Sequence, residues 1–373
     1  METYRLSSKL REKDSEYLIQ TSNDSTVGAV STSIFINGIL AERTTQAHPE
    51  QVDPQDVLAL VKSSHGEKKK EIESLLSAYR QAISQAEPDT MYHLGTAFYF
   101  KGFYAEAREL FYQTAASGTE YHQAYNFLAV TELALNNAQE AVQNGARAVA
   151  MRPRFADYRN NYGEALLAVD DYKGAIEQFE QATEINMYYG DAYFNLAIAH
   201  IVEAVRQPDR ERWGARLGRI GDCLKKAGLI YEIYRNPRTE QAVALLQRGE
   251  LREALTALKA VREAKREAGR REYAAFHTRF LLVPGWMSEK VVADRIAFLK
   301  AELQKNPTYV DLYAELSQCY LEQSKMAWQK AIDNYRKTTE INPSLRRAQI
   351  ALDETEAVYE KMCTALGRIT EKG

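Results

Sequence analysis

The sequence predicts a mostly α-helical chain: a superhelical solenoid of helix-turn-helix repeats, with a small antiparallel β module at its N-terminus. Three observations predict it. Ala107, Ala141 and Ala175 recur at a 34-residue interval, each just after a turn and inside a helix-forming run. β-branched residues crowd the first fifty positions, around an Asn37-Gly38 pair. The 373 residues are 45% hydrophobic, enough for a sizeable core, yet no uncharged apolar run approaches the length of a bilayer span.

In chain order, residues 1–52 read as the β module. Tyr17–Thr21 and Ala29–Ile36 are strand-forming, and Asn37-Gly38 before Ile39-Leu40-Ala41 is a hairpin signal, because both turn residues tolerate positive φ. Three or four antiparallel strands are expected. So small a sheet needs a partner surface. Its free edges also suggest a second interaction surface, including a homodimer through the strands; a cap on the first repeat is the competing role.

Residues 53–88 read as amphipathic linker helices. Asp53-Pro54 supplies an N-cap and a first-turn proline. From about Glu67, Ile72, Leu75, Leu76, Tyr79 and Ile83 share one face, and Lys68-Lys69-Lys70 is assigned to solvent.

Residues 89–202 carry the regular repeats. Leu94-Gly95, Leu128-Ala129, Tyr162-Gly163 and Leu196-Ala197 set a large residue beside a small one in each first helix. Phe111 and Phe179 follow their marker alanines by one helical turn, on the same face. Gly145 takes that place in the second unit, where thinner packing is expected. These residues resemble the tetratricopeptide repeat (TPR) family. The resemblance implies a right-handed superhelix whose concave face is lined by the first helix of each pair.

Beyond it the pattern loosens. Residues 203–292 read as an irregular helical insertion with a divergent unit at 236–262, marked by Arg248–Ala254; 203–235 lacks a second helix on time, and 273–292 is irregular. The apolar segment Phe280–Met287 is expected to tuck beneath neighbouring helices. Residues 293–373 read as a C-terminal repeat, opened by Tyr313, Leu316 and Tyr320 and closed by Ala331, Tyr335 and Pro343. A capping helix at about 344–366 follows, with Ala348, Leu352, Thr355, Val358, Tyr359, Met362 and Leu366 on one stripe.

The chemistry of a catalyst is not visible. Cys223, Cys319 and Cys363 are dispersed, and His48, His65, His93, His122, His200 and His277 form no metal-binding spacing. No phosphate-binding loop or nucleophile elbow occurs. The reading is of a non-enzyme without cofactor or metal. The first residues lack the apolar stretch of a signal peptide, so the cytoplasm is the expected compartment.

Two modes of binding compete. The first is a scaffold or adaptor that holds a peptide or amphipathic helix in the concave groove. The family resemblance implies a backbone-binding asparagine there. Asn161 and Asn195 match that place, His93 and Phe127 replace it in earlier units, and Asn126 and Asn160 stand beside the row. Tyr92, Tyr99, Glu164, Phe194 and Ile198 are expected to line the same face. The second mode is an anionic partner such as RNA. Residues 204–279 hold 18 Lys and Arg against 10 Asp and Glu, although the whole chain is at −3. Arg212, Arg216, Arg219, Lys225 and Lys226 form one cluster, and Lys259, Arg262, Lys265, Arg266, Arg270 and Arg271 another. Glu263 and Glu267 lie at ion-pairing distance within the second, so a solvated helix is the preferred reading and nucleic acid the disfavoured one.

Overall fold

The computed structural model describes residues 3–24, 27–48, 53–118, 121–208, 213–282, 289–305 and 310–372. The chain divides into two compact units, Met1–Leu282 and Val283–Gly373.

The first unit opens with a meander of β1 (Arg5–Glu12), β2 (Ser15–Asp24), β3 (Ala29–Ile36) and β4 (Ile39–Ala47), antiparallel and in sequence order. Asn37 and Gly38 both have positive φ, 50° and 83°, as a two-residue hairpin turn requires. Strand β1 has no compositional signature, because half of its residues are charged or serine facing outward. The inner face carries Tyr17, Ile19 and Ile34, all buried.

Helix α1 (Pro54–Gln85) covers that face. Asp53 caps it, accepting from the Gln55 amide at 2.8 Å. The linker helices expected here are one continuous helix. Lys68 corrects another expectation: it is not solvated but pairs with Glu42 and Glu71, each at 2.8 Å. Lys101 completes this junction of sheet, linker and first repeat, pairing with Glu42 at 2.9 Å and also with Glu71. Burial alone would raise the Glu42 carboxyl, but Lys101 and Lys68 outweigh it and hold it at about 2.

Helix pairs follow: α2 (Pro88–Lys101) with α3 (Tyr104–Ala116), α4 (His122–Ala134) with α5 (Ala138–Met151), α6 (Ala156–Ala168) with α7 (Tyr172–Ile185), and α8 (Gly190–Arg206) with α9 (Trp213–Ile230). The marker alanines are fully buried. A Cβ on Gly95 would lie 2.9 Å from the Phe111 ring, and one on Gly163 would lie 2.6 Å from Phe179, so these glycines are what let each pair close. Gly145 is not a thin spot: Tyr162 fills the space, 3.0 Å from where a Cβ would sit.

The turn within each pair has its own period. Gly102, Asn136 and Asp170 all adopt left-handed φ, at 81°, 62° and 66°. Glycine does so freely, and Asn or Asp at modest cost. Ala204 stands 34 residues further on, resists that conformation, and lies inside α8, which continues to Arg206. The second helix of the fourth pair therefore comes late. Gly249, at φ 80°, restores the turn between α10 (Pro237–Arg248) and α11 (Leu251–Leu282). Helix α11 outruns its hairpin partner by many turns, so 273–282 is helical rather than irregular.

The second unit holds α12 (Glu289–Lys305), α13 (Val310–Ile341) and α14 (Arg346–Lys372), packed consecutively. Helix α13 is continuous where a turn was expected between Tyr320 and Ala331. Residues 321–330 contain no Gly, Pro, Asn or Asp, and Lys325 pairs with Glu322 one turn away at 2.6 Å. No residue there favours the left-handed turn. On α14 the expected stripe is buried at Ala348 and Leu352 but exposed at Val358. The apolar segment 280–287 lies outside the residues whose surroundings are described.

Candidate functional site

The face formed by the first helices α2, α4, α6 and α8 is organised by two adjacent columns. One contains Tyr92, Asn126, Asn160 and Phe194; the other contains His93, Phe127, Asn161 and Asn195. A residue of the first column meets the residue 35 positions later in the second, across the boundary between repeats. Tyr92 meets Phe127 edge-on, with ring centroids 5.9 Å apart. Asn161 donates its Nδ2 to Asn126 Oδ1 at 2.9 Å, and Asn195 donates to Asn160 Oδ1 at 2.9 Å. Glu164, one turn beyond Asn160, accepts from Asn195 at 2.9 Å and from Asn160 at 3.3 Å.

The expected groove residues thus sort into three groups. Asn126, Asn160, Asn161, Asn195 and Glu164 form a hydrogen-bonded ladder between repeats. Tyr92 and Tyr99 belong to an aromatic cluster; Tyr99 packs 5.6 Å from both Phe127 and Tyr104, and burial pushes both tyrosine hydroxyls up to about 12. Phe194 and Ile198 correct the expectation of a lining role, being 0% exposed; Phe194 stacks on Tyr234 at 4.1 Å.

The face is occupied. Helix α11 lies against α8 and α2 and reaches α6 through Arg266. Arg262 donates to Asn195 Oδ1 at 3.2 Å. Lys265 holds Asp191, at the start of α8, at 2.5 Å, and its ammonium sits 4.2 Å from the Tyr231 ring centroid. Arg266 pairs with Glu164. Arg270 reaches the Tyr104 hydroxyl at 3.2 Å and the Ala41 carbonyl of β4 at 3.1 Å. Asp191 also accepts from Tyr234, whose hydroxyl is held well above its ordinary range by burial and by that carboxylate. Intrahelical pairs exist, Arg270 with Glu267 at 2.7 Å among them, but the solvated-helix expectation is corrected: one face of α11 is spent on the repeats.

These cations recur at i, i+3, i+4 and i+8 from Arg262, the spacing of one helix face. That signal was present in the sequence. What it lacked was the identity of the acceptors, which come from distant repeats. The other basic cluster does not converge. Arg212 is outside the described residues. Arg216 pairs with Glu203 at 3.5 Å within the fourth helix pair. Arg219, Lys225 and Lys226 are exposed on α9, with Lys226 5.0 Å from the Tyr193 ring centroid. Among the described residues, no cluster of His, Cys, Asp and Glu is arranged to hold a metal ion, and no helix is long and apolar enough to cross a membrane.

No protein-family model matches the sequence, and no curated protein matches it. Solved structures do. The crystal structure of MamA is 17% identical, covering 48% of this chain and 96% of its own, with a TM-score of 0.34. TTC0263, a thermophilic TPR protein in Thermus thermophilus, is 22% identical, covering 51% and 98%, with a TM-score of 0.37. YrrB, described as a TPR protein with an unusual peptide-binding site, is 12% identical, covering 53% and 97%, with a TM-score of 0.35. These likenesses concern fold.

Proposed function

We propose that this chain, a tetratricopeptide-repeat protein, is a non-catalytic interaction scaffold whose concave face receives a helical segment of a partner protein. The observation that carries the reading is that the face already holds a helix. Helix α11 is seated there by side chains from several repeats rather than by its own hairpin partner alone. A groove shaped to take a helix by side-chain anchors at i, i+4 and i+8 is a helix-in-groove site.

The RNA alternative has less support, because the cations of α11 are engaged internally. Dimerisation through the strands also has less support. The sheet's inner face is committed: Tyr17 packs 5.2 Å from Phe103, and Ser15 donates to Glu106 at 2.7 Å. A cap on the first repeat fits that arrangement better.

The test uses the full chain with Ala264→Pro. Ala264 is exposed on α11, and proline there breaks the helix within the groove segment, between Arg262 and Lys265. A fluorescent peptide spanning 257–278 should bind this variant at micromolar concentration, and the unaltered chain at least tenfold more weakly. A variant with an intact helical dichroism spectrum that fails to bind any helical peptide would refute the groove.

A further inference from the structure

Resting on that reading, we infer that the partner is a basic amphipathic helix, with cations at i, i+3 or i+4, and i+8, and that α11 is its intramolecular stand-in. The argument begins with the polarity of the asparagine ladder. Each link donates its Nδ2 toward the preceding repeat, from Asn195 to Asn160 and from Asn161 to Asn126. The direction leaves the last member, Asn195, with its Oδ1 facing the groove. Only a donor can complete it, and Arg262 does.

Charge points the same way. Glu164 is buried and already accepts from two asparagines, while its second oxygen meets Arg266. Asp191 is satisfied by Tyr234 and Lys265. Were the cations withdrawn, two carboxylates would remain in a part-buried face with no compensating charge, which is costly. An apolar or acidic helix cannot replace α11 without leaving them so. A basic helix can. Two tyrosine rings, Tyr231 and Tyr234, lie 4.2 and 5.4 Å from the Lys265 ammonium and add to the preference for a cation.

The resident helix is also an imperfect occupant. The Arg262 Nε is buried without a hydrogen-bond partner, and the Arg266 side chain remains 44% exposed although it pairs with a buried acid. A segment free of the connection to α10 can adjust its register where α11 cannot. The groove is therefore closed by default and opens to a helix that presents the same cations with better geometry.

The experiment compares peptides on the full chain carrying Ala264→Pro. The 257–278 peptide is set against the same peptide with Arg262, Lys265, Arg266 and Arg270 replaced by glutamine. The basic peptide should bind at least tenfold more tightly, and raising the salt concentration should erase most of the difference. In a second pair, Asp191→Lys in the chain should weaken the basic peptide, and Lys265→Asp in the peptide should restore it. Equal binding of the basic and neutral peptides would overturn the inference while leaving the groove intact. Binding of neither, by a folded variant, would remove the groove itself.

Discussion

The two ends of the groove use one diagonal contact with opposite chemistry. Between the first and second repeats it joins Tyr92 to Phe127; between the second and third, and the third and fourth, it joins asparagine to asparagine. The backbone geometry is the same, since the partners are always 35 residues apart. What differs is what lies behind them. The first repeat backs onto the sheet and α1, with Phe111 and Phe103 in one continuous core. Helix α11 lies against both ends, but at the later repeats its Arg262 and Arg266 meet the polar side chains of Asn195 and Glu164. A position in the repeat therefore does not carry a function by itself; it takes its character from the neighbour that covers it. A resemblance that assigns Asn161 and Asn195 to a bound peptide misses that both are already held by the repeats.

The apolar end should be the more sensitive to truncation. Phe111 is fully buried, stacks on Phe127 at 5.0 Å and lies against Gly95. Phe111→Ala removes that ring and leaves a cavity, and should cost about 3–5 kcal/mol in urea denaturation. A loss below about 1 kcal/mol would show that the first repeat is not part of the cooperative core.

The same end is anchored to the sheet by Glu42, and here the expected effect is of pH. Its folded carboxyl lies near 2, below the ordinary 4.5, so its stabilisation is full above about pH 4.5 and disappears as pH falls toward 2. On the order of 3 kcal/mol is at stake. Urea denaturation from pH 6 to pH 2 should show a steep acid limb that Glu42→Gln flattens. An unaltered limb would place the acid-labile contacts elsewhere, the α11 pairs being the first candidates.

The repeat core was legible because its determinants are local and steric. A small residue at each helix crossing and a left-handed residue at each turn recur on a fixed period, so Ala107, Ala141 and Ala175 mark real pairs. The same logic reads the failures. Ala204 disfavours the left-handed turn, and residues 321–330 hold no Gly, Asn or Asp that would favour it, in keeping with α8 and α13 running on. The groove's occupant was not legible. Arg262, Lys265, Arg266 and Arg270 announce one charged face, yet their acceptors lie 67, 74, 102 and 166 or more positions away and meet them only after the repeats have stacked. Lys68 was misplaced for the same reason, since its partner Glu42 arrives from a strand.

The smallest effect, and the sharpest test of the comparison, concerns the ladder. Asn195 is 2% exposed and makes bonds to Asn160, Glu164 and Arg262. Asn195→Ala leaves the Asn160 carbonyl and one Glu164 contact without a donor in a buried place, which should cost about 1–3 kcal/mol. A residue kept only for a guest would cost almost nothing in the free chain. Single truncations cannot separate the pair from its surroundings, so the informative measurement is a double-mutant cycle. Asn160→Ala with Asn195→Ala should show a coupling of about 0.5–3 kcal/mol, because the two side chains touch and share Glu164. The cycle of Tyr92→Ala with Phe127→Ala, at the same diagonal one end along, should give about 0.5–1.5 kcal/mol from ring against ring. Arg262→Ala should then change the first coupling and leave the second alone, since it completes only the asparagine ladder. If the asparagine cycle is additive within about 0.3 kcal/mol, the amides act independently, and the ladder is a row of separate polar groups rather than a device that hands one acceptor to the helix in the groove.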